Sequence, residues 1–336
     1  MAKIIPAVLS AASVAMFVAP RLASSAVVPG DVSSSIHAAE HEFNMGNYSQ
    51  AIRTLQSAVS QSPSNAEACY WLGRSYYEMR DYDNAIAQAE KSVALDAKNS
   101  LYHDWLGRAY GGKADRDHSF FLARKVKKEF EEAVRLDPSN ISARRDLEGY
   151  CIDAPWIVGG SKDEANAQVT AIAAIDPVAG HLARAEFDRD ALKKDDLAES
   201  EYRQVLAARP RQDEPYFEVA QFFAEKNKPS DIEAAIAEAR GVSPNDPRLE
   251  FYQAVAWVLA GAEFGRAEEY LKSYLASTPD RSDWPSHAQA REWLGRLYEA
   301  EGKPGEAAEQ YRAALQLDPG MKEPRERLQQ LEKTSH

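Results

Sequence analysis

The chain has 336 residues, 44% of them apolar and 27% charged, a mixture that suits a folded chain longer than one ordinary compact domain. Its formal net charge of -12 and pI near 5.2 argue against wrapping a phosphate backbone, which needs a concentrated basic face. The densest basic run, "RKVKKEF" at 124–130, is followed at once by acids, so no nucleic-acid partner is expected.

The first 26 residues differ from the rest. Lys3 precedes an uncharged run from Ile4 to Ala19, then small residues up to Ala26. This is the layout of a secretory signal peptide, and it predicts an exported protein, periplasmic or secreted. An uncleaved membrane tether is the alternative. The run is short for a spanning helix and is interrupted by Pro6 and Pro20. Cleavage after Ala26 would remove Lys3 and Arg21 and no acid, leaving a still more acidic chain. No later stretch is apolar enough to span a bilayer.

From residue 33 onward the chain repeats itself. "YWLGRSYYEM" (70–79), "DWLGRAYGGK" (104–113) and "EWLGRLYEAE" (292–301) share Trp-Leu-Gly-Arg, and the first two copies lie 34 residues apart. In a 34-residue frame Gly73, Gly107 and Gly295 occupy position 8, and Tyr76, Tyr110 and Tyr298 occupy position 11. Ala51, Ala85, Ala165, Ala198, Ala267 and Ala307 occupy position 20. Seven of the 17 prolines fall at position 32: Pro63, Pro138, Pro177, Pro210, Pro244, Pro279 and Pro319. Apolar residues recur at three and four, the helical period, and no stretch alternates long enough to argue for a strand. Small residues let paired helices approach closely, and Pro separates one unit from the next.

This pattern resembles the tetratricopeptide repeat, a helix–turn–helix unit. The resemblance implies an all-α, right-handed α-solenoid of about eight units, at 33–65, 66–99, 100–140, 141–178, 179–212, 213–246, 248–281 and 288–321, followed by a polar capping helix at 322–336. Solenoids need such a cap over their last apolar face. The third unit carries about seven extra residues between its helices, the fourth about five, and a linker around "DRSDWPSH" (280–287) about six. One departure stands out. The family's common Trp lies three residues before Leu-Gly, where this chain has Cys69, His103 and Arg291.

The resemblance also implies that first helices line a concave groove, with positions 2, 5, 9 and 12 pointing into it. That places Arg74, Arg108 and Arg296 at position 9, with Tyr70, Trp71, Tyr77, Trp105 and Trp293 near them. A guanidinium beside aromatics suits a carboxylate or peptide backbone. The alternative is an Arg paired with an acid of the neighbouring unit. The Asn and Lys set of the family's carboxylate clamp is not found. A second candidate is a loop edge. "GGKADRDHSFF" (111–121) and "APWIVGG" (154–160) read as long loops within units three and four, with Gly111-Gly112 and Gly159-Gly160 as turn residues. They carry Phe120, Phe121, Trp156 and Ile157, which mark an interface unless the two loops pack on each other.

Catalytic signals are thin. "HAAEH" (37–41) matches a zinc-peptidase pattern, with His37 and His41 as ligands and Glu40 as base. It lies in the first helix of a repeat, with no third ligand in view, so no metal, cofactor or catalytic residue is expected. Cys69 and Cys151 fall two units apart, too far for a bridge, and read as small buried apolar residues. The expected role is a non-catalytic scaffold binding a protein or extended peptide, with a zinc peptidase and a self-associating structural component as alternatives.

Overall fold

The computed structural model describes residues 32–334. The expected leader and its expected cleavage site lie outside them. The described residues form helices and no strand. They pair in eight units: α1 (Val32–Asn44) with α2 (Tyr48–Gln61), α3 (Ala66–Glu78) with α4 (Tyr82–Leu95), α5 (Ser100–Asp117) with α6 (Phe120–Leu136), α7 (Ile141–Asp153) with α8 (Lys162–Ile175), α9 (Pro177–Glu186) with α10 (Asp195–Ala208), α11 (Glu214–Glu225) with α12 (Pro229–Val242), α13 (Arg248–Ala260) with α14 (Phe264–Ser277), and α15 (His287–Ala300) with α16 (Pro304–Leu317). The last helix, α17 (Lys322–Thr334), packs on α16 and brings Leu328 and Leu331 against the apolar interior. The chain is an α-solenoid. Each first helix touches the next along the row α1, α3, α5, α7, α9, α11, α13, α15, which forms a continuous inner layer.

Local chemistry starts these helices. Asn65, Asn99 and Asn140 stand just ahead of α3, α5 and α7, and each accepts from a backbone N–H of the first turn. Ser286 and Gln289 form a reciprocal capping box ahead of α15. Pro177 stands at the boundary between units four and five, as its frame position suggests. It is the first residue of α9, capped by Asp176, because a proline at that place forfeits no helical hydrogen bond. The π-turn Phe187–Ala191 then ends the helix.

The small residues of the frame mark close helix contacts. A Cβ built on Gly107 would lie 2.5 Å from Phe130 Cε1, and the same place on Gly295 is filled by the Tyr311 ring. Gly111, one turn further along α5, has nothing nearer than Val126 Cγ2 at 4.0 Å. Two alanine substitutions should therefore differ in sign. Gly107→Ala should cost about 1–2 kcal/mol through overpacking, even after its gain in helix propensity. Gly111→Ala should add about 0.5–1 kcal/mol, because it meets no crowding. Urea midpoints of the two variants check this.

The insertion in unit three is not a loop. Gly111 and Gly112 are helical, and α5 and α6 run 18 and 17 residues where most of their counterparts run 12 to 14. Seven residues make about two helical turns, so the extra length lengthens both helices without rotating their apolar faces. Tyr82 packs where a side chain on Gly112 would be, and Lys113 pairs with Asp83 of the preceding unit. Only His118, in the left-handed region, and the cap Ser119 form the turn. In unit four the insertion is a 3-10 turn, Trp156–Val158, ended by Gly159 at φ 106°.

Candidate functional site

The row of units curls until its ends meet. The linker between α14 and α15 spans nine residues, 278–286, where the other junctions use one to five. It crosses to the first two units. Pro279 rests on Gly46, whose φ of 72° and missing side chain make the room. Arg281 Nη1 donates to the Asn44 carbonyl at 3.4 Å. Ser282 donates twice to Glu78, through its N–H at 3.2 Å and its hydroxyl at 2.9 Å. Trp284 lies under two guanidinium groups, Arg248 at 4.9 Å and Arg281 at 4.7 Å. Arg248 is buried, and ion-pairs with Glu214 at 2.6 Å and Asp246 at 2.9 Å.

Inside the curl is a cavity of about 2070 Å³. Tyr77, Arg108, Arg145, Glu186 and Glu214 line it, with Asp283 of the linker at its wall. Two of its arginines are matched within the chain. Arg145 bridges Glu218 of α11 at 2.7 Å and Glu186 of α9 at 3.1 Å. Arg108 donates to Asp146 of the next unit at 2.6 Å and lies 3.6 Å from Asp104. Burial and the neighbouring Asp146 raise the Asp104 carboxyl, which Arg108 only partly offsets.

Glu148 has no such match. It stands at position 8 of unit four, the place that Gly73, Gly107 and Gly295 hold in units two, three and eight. Its side chain is fully buried and neither carboxyl oxygen has a hydrogen-bond partner. Burial, then the charge of Glu186, push it up to about 9, against the opposing pull of Arg145 and Arg184. It is therefore a neutral acid at pH 7.

The arginines of Trp-Leu-Gly-Arg do not reach out as a set. Arg74 sits among aromatic rings, its Cζ 4.3 Å from the Trp105 ring, 4.5 Å from Trp71, 4.7 Å from Phe43 and 5.6 Å from Tyr70. It donates to the Tyr70 hydroxyl at 3.2 Å, and its Nε is buried without a partner. Such stacking draws on the ring quadrupole and not on a carboxylate. Arg108 takes the acid-paired arrangement and lies 4.9 Å over Trp105. Arg296 stacks 3.9 Å over Trp293 and donates to Asn227 of unit six at 3.2 Å. Tyr70 and Trp293 are buried. The expected groove thus divides. Tyr70, Trp71, Arg74, Tyr77, Trp105 and Arg108 come together at units two and three, and Trp293 with Arg296 forms a separate pair in unit eight. Phe43, which completes the cage from the preceding unit, has no Trp-Leu-Gly-Arg signal to announce it.

The edge residues stay open. Phe120 is 65% exposed, Phe121 70%, Trp156 84% and Ile157 55%. The two insertions do meet through polar contacts. Arg124 donates to the Ile157 carbonyl at 3.3 Å, and the Tyr150 hydroxyl lies 2.7 Å from the Ala123 carbonyl and 2.8 Å from that of Val158. Those bonds run from side chains to backbone carbonyls and leave all four apolar side chains exposed, with Phe120 also at the cavity's wall.

His37 and His41 are exposed on α1, and Glu40 lies 3.8 Å from His37 Nδ1. Among the described residues no group of three or more His, Cys, Asp or Glu is arranged to hold a metal ion, and no helix is long and apolar enough to cross a membrane. Cys69 and Cys151 are buried and unbridged, and burial raises both thiols.

With this geometry in place, the comparisons with known proteins are consistent. Two family models, each described as tetratricopeptide repeat, match residues 43–108 and 258–322. No curated protein matches the sequence. Among solved structures, yeast Tom70 is similar at 14% identity and a TM-score of 0.61, over 93% of this chain and 66% of that one. Cut9–Hcn1, an APC/C hetero-tetramer, is similar at 12% identity and a TM-score of 0.51, over 88% and 55%. A thermophilic tetratricopeptide repeat protein of Thermus thermophilus aligns at 16% identity over 67% and 98%, with a TM-score of 0.45. This chain spans no more than about two thirds of the first two, and at these identities the likeness is one of fold. Tetratricopeptide repeats are thus recognised in the sequence near both ends of an α-solenoid.

Proposed function

We propose that the chain is a non-catalytic scaffold that binds a protein or extended peptide, chiefly through the edge formed by Phe120, Phe121, Trp156 and Ile157. The observation that carries this reading is their exposure. Three of them are the most exposed large apolar side chains described, and all four come from the two insertions that interrupt the repeat. A concentration of exposed apolar side chains of this kind marks an interface. The repeats support the same class of role, although fold does not settle function. The charge matching inside the cavity favours the edge over the groove arginines as the first point of contact. The apolar leader supports an exported location, in the envelope or outside the cell.

The test is affinity capture on the immobilised protein, with Phe121→Ala/Trp156→Ala beside the parent. Both side chains are exposed, so the variant's stability should stay within about 1 kcal/mol of the parent. Loss of the captured partner with unchanged melting supports the edge. A partner retained in full by the variant overturns it. Self-association through the same edge would appear as a concentration-dependent mass in light scattering that the variant abolishes.

A further inference from the structure

The nine-residue linker behaves as a bound ligand of the chain's own first two units. Its ends are fixed locally, since Tyr274 donates to the Pro285 carbonyl at 2.7 Å and His287 Nε2 lies 2.9 Å from the Thr278 carbonyl. Its middle is a turn, with the Trp284 N–H donating to the Arg281 carbonyl at 3.4 Å, and is held by side-chain recognition. A proline ring sits on a glycine, an arginine reaches a backbone carbonyl, a serine offers a carboxylate both its N–H and its hydroxyl, and a tryptophan slides under a buried guanidinium. We infer that Asn44, Gly46, Glu78 and Arg248 form a recognition site for a short turn-forming segment, filled here by residues 279–284. A partner protein presenting the same make-up, with proline, arginine, a hydroxyl side chain and tryptophan in one short turn, takes the linker's place.

Two features make the site exchangeable. Ser282 and Asp283 are exposed, so a competitor can reach the middle of the linker. Glu78, by contrast, is half-buried, and Ser282 donates to both of its carboxylate oxygens. A carboxylate so placed strongly favours a replacement that brings its own N–H and hydroxyl over none at all. Displacement also moves Asp283 from the cavity wall, so binding at the linker site would open the cavity. This inference rests on the scaffold reading and specifies one class of partner for it.

The experiment uses the full chain and a fluorescein-labelled peptide of the linker sequence, TPDRSDWPSH, read by anisotropy. In the variant Arg281→Ala/Ser282→Ala/Trp284→Ala the resident segment no longer competes, and the peptide should bind at least tenfold tighter than to the parent. Adding Glu78→Ala to that variant should weaken binding at least tenfold, and a peptide with its Arg, Ser and Trp replaced by alanine should not bind. A variant that melts like the parent but does not take the peptide, or binds it equally without Glu78, overturns the proposal. If the variant does not fold, tryptic cleavage after Arg281 in the parent decides. Excess peptide should speed that cut severalfold by expelling the linker, and an unchanged rate overturns the proposal. A partner captured through the edge whatever the peptide does leaves the scaffold reading standing.

Discussion

Replacing Arg248 by methionine should remove about 3–5 kcal/mol of stability, among the largest effects of any single side chain here. The guanidinium is 4% exposed and ties together groups from four segments. It pairs with Glu214 and Asp246, lies 3.9 Å over the Phe217 ring and covers Trp284 of the linker. Methionine keeps much of the volume but leaves Asp246, itself largely buried, with its charge uncompensated. Removing one partner of a buried pair costs far more than the pair contributes over an apolar substitute. Arg248→Lys keeps the charge but not the planar fork or the stacking, and should recover only part of the loss. Urea denaturation measures both variants. A loss below about 1 kcal/mol for the methionine variant would show that the cluster is a surface arrangement of little weight.

The second large effect runs in the opposite direction. Glu148→Gln should stabilise the protein at neutral pH, by up to about 3 kcal/mol at pH 7. The sign follows from linkage. The folded carboxyl titrates near 9 and the unfolded one near its ordinary value of 4.5. Between those values the folded state holds a proton that the unfolded state has released, so stability falls as pH rises. Below pH 4.5 both states are protonated and the difference vanishes. Glutamine removes the titration while keeping the shape, so its advantage should grow from near zero at pH 4.5 and level off above pH 9. The facing charges are Glu186, Arg145 and Arg184, and all three remain in the variant. Thermal melting of both proteins from pH 4.5 to 9 tests this. Parallel profiles would mean that Glu148 is ionised in the fold.

The fold is legible in this sequence because its determinants are local and repeated. Gly107 against Phe130 and Gly295 against Tyr311 are contacts between two helices of one unit, and the 34-residue frame displays them directly. The site is less legible for three separate reasons. Gly111-Gly112 reads as a break, yet the inserted residues complete two turns and the helix absorbs them. The Arg74 cage needs Phe43 from one unit and Trp105 from another, and no spacing rule relates the two. The meeting of Ser282 with Glu78, 204 residues away in the chain, depends on the accumulated curvature of seven units. Small rotations per repeat add up to it, and no single motif records the sum. Glu148 falls at the frame position of Gly73, Gly107 and Gly295, but only the packing shows that it is buried without a partner.

The linker contacts also change how the molecule should unfold. An open array of repeats has contacts between neighbours only, so its ends fray and its stability is nearly a sum of local terms. Here unit seven's exit is tied to units one and two across 204 to 237 residues. The tie makes the array a cycle. Fraying at the amino terminus must release the linker first, and so must separation of unit eight from the rest. Hydrogen exchange in α1 and α3 should then track that in α15, as one cooperative unit formed by the two ends of the chain.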